Sequence, residues 1–226
     1  MNWGEVFKIN SNLKKPLNEQ LRDMKFQPIR IITATGTFTP EKTGLYKVIC
    51  VGAGGTGCST ATTVSTRKVA SGGGGGVAIK TLELSSSTSY NVTVSETASF
   101  AYGTSAITAT PGARGTTGAN ASGGAGGTAS GGDYNYTGGN GAYSDSVANK
   151  IVIPGSVGVF LSELSLRKSV TRGVLNMVAE IPYGDNILGY GGGSTAYIFD
   201  NGDDGEEVEN AGQPAAVIIV PIEMEE

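Results

Sequence analysis

The residues with the most suggestive chemical spacing are Gly52-Ala53-Gly54-Gly55-Thr56-Gly57, which fit G-x-G-x-x-G and follow an apolar run at 47–51. In a dinucleotide site such glycines permit a tight turn, and the helix N-terminus behind them holds the pyrophosphate. The same stretch nearly fits a P-loop, but Cys58 stands where the phosphate-binding lysine is required. Both sites need a helix immediately afterwards. Residues 59–66 are β-branched and polar instead, without an apolar 3.6-residue period. The region about 20 positions on, where an acidic residue would meet a ribose, is the pentaglycine beginning at Gly72. The loop is therefore expected to hold no nucleotide, and no cofactor is predicted.

Other reaction chemistry is scarce. The chain has no histidine, which removes Ser-His-Asp and Cys-His catalysis and nearly every zinc site that is not all-cysteine. Cys50 and Cys58 make no disulfide framework, and Cys50 reads as a buried small hydrophobe inside an apolar strand. Glu83, Glu96, Glu163 and Glu180 are scattered, and spacing alone pairs none of them for glycoside chemistry. The acidic run 200–209 reads as a solvated loop. It misses the EF-hand pattern because Gly202 takes a ligand position. No metal site and no enzyme activity are expected. The net charge is −4 with no basic stripe, so nucleic acid is not an expected partner. What remains is aromatic: Tyr134, Tyr136 and Tyr143 in glycine-rich surroundings, with Tyr183 and Tyr190 behind them. Flat rings with a polar tip suit sugar or protein surfaces, although ordinary packing or exposure also accounts for any single tyrosine.

These residues must be positioned by a body that is mostly strands. Apolar residues are 38% and charged residues 16%, so a modest core is expected, with glycine, serine, threonine, alanine and asparagine filling the remainder. Strands are predicted at 29–33, 45–51, 77–84, 90–94, 106–110 and 216–222, parted by Gly/Ser/Thr turns, with 36–40 leading to a turn at 41–44. Pro221 marks an edge or terminus, since proline cannot donate to a ladder. The fold class read from this pattern is mainly β, an antiparallel β-sandwich of jelly-roll-like type. Residues 143–188 read as an insertion with its own hairpin or short helix.

Residues 1–26 differ. Leu13, Leu17, Leu21 and Met24 share one helical face, Trp3, Val6 and Phe7 make a similar face earlier, and Pro16 opens the second helix. This helical segment either lies on its own domain or serves attachment and self-association, because a short isolated helix needs packing partners. The division is thus 1–26 and 27–226. The first residues lack a basic region followed by an apolar stretch, and no run reaches the ~18 apolar residues of a membrane span. No signal peptide and no membrane insertion are expected.

Glycine itself supplies the last signal. There are 36 glycines, most of them between Gly52 and Gly141. After Pro111, small residues recur at every third position: Gly112, Gly115, Gly118, Ala121, Gly124, Gly127 and Ser130. Period three belongs to the extended polyproline-II-type helix, which has no internal hydrogen bonds. Glycine at the recurring position lets neighbouring backbones bond one another, so packed polyglycine-II-type segments are expected in preference to a flexible linker.

The order of the pieces resembles the glycine-rich domain of bacteriophage tail-fibre and receptor-binding (adhesin) proteins. The matching residues are Thr37-Phe38-Thr39-Pro40, the strand 48–51 entering Gly-Ala-Gly-Gly, the pentaglycine entering Val77-Ala78-Ile79-Lys80-Thr81-Leu82, and Tyr90-Asn91-Val92-Thr93-Val94. Later matches are Ser99-Phe100, Ile107 to Thr110, Pro182-Tyr183-Gly184, and Gly191 to Gly193 near 214–219. The resemblance covers about 30–222. It implies a β-rich body with glycine-rich loops at a fibre tip, commonly trimeric, contacting a bacterial surface glycan or protein and other tail proteins. The expected setting is the virion tail, or the cytoplasm of a lysogen before release. The alternative is a structural tail, baseplate or fibre-assembly protein with no receptor contact. This chain departs from the pattern in replacing many glycines by Ser and Thr, in carrying Ser95-Glu96-Thr97 where another glycine turn is usual, and in the extension at 143–188.

Overall fold

The structure is a computed structural model, and it describes residues 28–60, 68–117, 121–145, 150–152, 174–176, 190–194, 196–199, 206–209 and 211–224. The expected N-terminal helices, with Trp3, Val6, Phe7, Leu13, Leu17, Leu21 and Met24, lie outside these residues, as does most of 143–188.

The described residues form antiparallel sheets with no helix. In chain order the strands are β1 (Arg30–Ile32), β2 (Gly36–Phe38), β3 (Gly44–Val51), β4 (Cys58–Thr60), β5 (Lys68–Ala70), β6 (Val77–Leu84), β7 (Tyr90–Val94), β8 (Ala98–Tyr102) and β9 (Ser105–Ala109). They continue with β10 (Ala129–Ser130), β11 (Tyr134–Tyr136), β12 (Tyr143–Asp145), β13 (Lys150–Val152), β14 (Val174–Asn176), β15 (Ala196–Phe199), β16 (Glu206–Glu209) and β17 (Ala216–Met224). The predicted strands at 77–84 and 90–94 have the predicted bounds. The last four residues of the expected acidic loop are strand: β16 pairs with β15.

Two five-stranded sheets make the body, in the orders β1-β17-β3-β6-β11 and β10-β9-β8-β7-β2. Alternation in β3, β6 and β17 sends Tyr46, Val48, Cys50, Ala78, Leu84, Val217 and Ile219 to one face. There they join Val92, Ala98, Phe100, Ile107 and Ala109 of the second sheet in one core. Cys50 is fully buried, as its setting in the sequence suggests, and burial pushes its thiol up to about 12. The intervening residues Ile49, Val51, Val77, Ile79 and Ile218 form a second cluster on the opposite face, joined by Tyr190 and Val220. The first sheet is therefore apolar on both faces. Pro221 falls beyond the part of β17 that β1 pairs, and the register against β3 shifts just after it.

The glycine-rich segments are the buried interior at one end of this body. The segment 71–76, buried throughout, is their axis. Its amides donate in a strict cycle of three: Ser71 and Gly74 to Ala142 and Gly139, Gly72 and Gly75 to Ser194 and Gly191, Gly73 and Gly76 to Ala113 and Thr110, all at 2.8–3.1 Å. Its carbonyls accept from Gly124 and Gly127 on one side and from Gly55 and Gly52 on another. This is the bonding of a threefold extended helix, in which residue i+3 repeats the direction of residue i. Six segments thus meet (52–57, 71–76, 110–115, 123–128, 138–142 and 191–194), and 213–214 adds to them through bonds to Gly54, Gly191 and Gly192.

The third-position register is present, with a break. Gly112 and Gly115 donate to the 52–57 segment, while Gly124 and Gly127 donate to 71–76. The two halves are antiparallel neighbours, through Thr110 to Thr128 and Ala113 to Ala125, and the chain reverses at the bridge Thr116–Ser122. The glycine lattice also has strands at both ends. β3, β6, β11 and β17 continue into it from the body, and β4, β5, β12 and β16 leave it on the far side. There β12-β5-β4 and β14-β13-β15-β16 form two small sheets in contact with each other.

Candidate functional site

The loop that imitates a nucleotide site is fully engaged by the fold. Gly52, Ala53, Gly54 and Gly55 donate their amides to Gly76, Glu96, Gln213 and Gly73, and Gly57 donates to the Ser194 hydroxyl. A phosphate would have to displace these bonds, and strand β4 occupies the place of the required helix. The scattered carboxylates do not converge. Glu83 lies on the end of β6 remote from the lattice, whereas Glu96 gives its carbonyl to Ala53 inside it. Glu163 and Glu180 lie outside the described residues. Among the described residues no three of Cys, Asp and Glu come together.

The tyrosines are placed in two groups. Tyr134 and Tyr136 alternate along β11, the edge strand of the first sheet, opposite Ile79 and Val77. Registered partners share a face. Both rings therefore stand on the face of the second apolar cluster, about 6–7 Å apart along the strand. Tyr134 is 62% exposed and Tyr136 36%. Tyr190 packs against that same cluster and is half-buried, so it acts as a flank and less as a contact. Tyr143 is separate. It begins β12 on the far side of the lattice, opposite Ala70, and is 45% exposed. Seven residues of extended chain at about 3.1 Å each put it some ~20 Å from Tyr136. Tyr183 lies outside the described residues.

A clasp that sequence reading missed fixes the approach to Tyr134. Gly131 adopts φ 77, where a Cβ would also come within 2.2 Å of the Ala106 carbonyl, so the turn from β10 requires glycine. Asp133 then accepts from the Lys80 ammonium at 2.9 Å and from the Thr81 amide at 3.0 Å. The Asn135 carboxamide closes the turn by accepting from the Gly132 amide and donating to its carbonyl. The bond from Lys80, then that from the Thr81 amide, hold the Asp133 carboxyl below its ordinary range, and the bond to Asp133 raises Lys80. Lys80 also lies over the Tyr102 ring of β8, 5.8 Å from its centroid, so the clasp links the two large sheets. Gly131-Gly132-Asp133 is a readable turn signal; Lys80 as its partner is a long-range fact that local pattern does not carry.

The arrangement offers recognition chemistry: two rings with phenolic tips on a rigid edge, over an apolar floor. No protein-family model matches the chain, and no curated protein matches it significantly.

Proposed function

We propose that the protein is a non-enzymatic tail component of a bacteriophage or prophage that binds a glycan or protein on the bacterial surface. The observation that carries this reading is the buried glycine lattice, which continues the body strands and holds an aromatic edge rigid and exposed. Such a lattice supports long extended chain without a large apolar core, a need of thin fibre tips. In this reading the two large sheets are a β-sandwich of jelly-roll-like type, and residues 1–26 are the helical attachment and trimerisation segment that meets other tail proteins. Tyr134 and Tyr136 lead the receptor contact, with Tyr143 and Tyr183 further along the chain and Tyr190 as support. The protein resides on the virion tail, or in the lysogen cytoplasm before release; no helix of the described residues is long and apolar enough to cross a membrane.

The test is direct staining of a broad panel of bacterial strains with the labelled, full-length protein, together with light scattering. Staining of some strains by a trimer, lost in a Tyr134→Ala/Tyr136→Ala variant, is the expected result. Incorporation into tails with no staining of any strain would replace this reading by the assembly role.

A further inference from the structure

On the edge of the body opposite β11, a cavity of about 360 Å³ opens between β1, β2 and β17. Its apolar wall is Phe38, Tyr46 and Ile219. Phe38 and Tyr46 meet edge to face, with ring centroids 6.3 Å apart and planes at 77°. The Tyr46 hydroxyl donates to the Lys42 carbonyl at 2.7 Å, which locks the ring in place. At the rim Arg30 and Glu41 form an ion pair, with side chains 54% and 62% exposed, and Thr37 also lines the cavity. A pair this exposed adds little to stability, so the fold does not depend on it.

We propose that this groove is a second binding site, selective for a neutral saccharide. The volume falls within the range of small-ligand pockets, about 300–1,000 Å³. The charges at the rim are opposite and adjacent: an anionic ligand meets Glu41 and a cationic one meets Arg30, so neither gains overall. A neutral polyol gains from both. The guanidinium presents a fork of donors and the carboxylate a pair of acceptors, while each sugar hydroxyl donates and accepts at once. The Phe38 ring supplies the apolar surface that the C–H face of a pyranose covers. The site stands apart from the tyrosine edge and goes beyond the receptor reading, since neither residue set touches the other's strand edge.

The experiment is an NMR titration of the full chain with neutral trisaccharides of glucose, galactose, mannose and rhamnose, and with sialyllactose and chitosan trimer as charged counterparts. Saturable millimolar binding of at least one neutral probe is expected, with the largest shifts at Arg30, Thr37 and Phe38. The double variant Arg30→Met/Glu41→Leu removes donor and acceptor together. It should weaken binding about tenfold or more, the loss of hydrogen bonds to charged groups, while leaving the melting temperature nearly unchanged. The Tyr134→Ala/Tyr136→Ala variant should bind the probe normally, which separates this site from the receptor surface. No saturable shift with any neutral probe, tighter binding of a charged one, or equal affinity in the Arg30→Met/Glu41→Leu variant would overturn the proposal.

Discussion

Gly73 donates its amide to the carbonyl oxygen of Ala113 at 3.0 Å, and a Cβ placed on that glycine would lie 2.1 Å from the carbonyl oxygen of Ala125. One residue thus touches two other segments through backbone alone. The contact is between main-chain atoms, which have no rotamer to yield.

Gly73→Ala is accordingly expected to cost about 3 kcal/mol or more, as overpacking against unyielding atoms does. Gly36→Ala is the matched control. Gly36 sits in β2 with nothing within 4 Å of the added carbon, so the substitution should be neutral or stabilising by about 0.4–1 kcal/mol through the unfolded chain. Urea unfolding of both variants checks the contrast, and equal effects would remove the lattice from the account of stability.

Amide exchange should follow the bonding cycle. All six amides of 71–76 are buried donors, so their protection is expected to approach that of global unfolding. The exposed turn at Gly103, by contrast, should exchange within the dead time. Hydrogen-exchange NMR decides this, and rapid exchange across 71–76 would mean a linker.

The clasp under Tyr134 makes its geometry dependent on pH. Asp133 has a depressed pKa, so its contribution is full above the unfolded value of about 3.9 and is lost as pH falls through the folded value. Lys80 is raised, so its contribution is full below about 10.4 and is lost as pH rises through the folded value. The clasp is therefore complete from about pH 4 to about pH 10. A carboxyl-detected NMR titration should show Lys80→Met moving Asp133 up toward the ordinary range. An unmoved titration would leave the Thr81 amide as the sole cause.

Tyr134→Ala should change stability by no more than about 0.5 kcal/mol, because the ring is mostly exposed, yet reduce cell binding about tenfold or more. Tyr143→Ala, some ~20 Å away, should add independently to it. Binding curves of the single and double variants measure both statements. A strong coupling between Tyr134 and Tyr143 would contradict the separation of the two groups.

Much of the body was readable because alternation in 77–84 and 90–94 is strong and each run ends at turn residues. β8 was missed, since Ala98-Ser99-Phe100-Ala101-Tyr102 carries one polar residue among small and aromatic ones and so shows no clear apolar/polar alternation. The reversal at Thr116–Ser122 was invisible for a specific reason. Gly115 and Gly124 are separated by a multiple of three, so the register runs unbroken across a turn that reverses the chain. The short strands β10, β11 and β12 gain their pairing from partners far away in sequence, a term that local propensity does not contain. For the same reason Asp133 and Glu41 stood unremarked until Lys80 and Arg30 were beside them.

The lattice has a thermal consequence. Exposing apolar surface raises the heat capacity of unfolding by about 0.45 cal/K/mol per Å², while exposing polar backbone lowers it by about 0.26. A region whose interior is peptide groups bonded to peptide groups therefore contributes little curvature to the stability of this protein. The two apolar clusters of the body lose strength on cooling, as all such clusters do. The glycine region does not share that weakness, and its hold on the strands at either end persists in the cold.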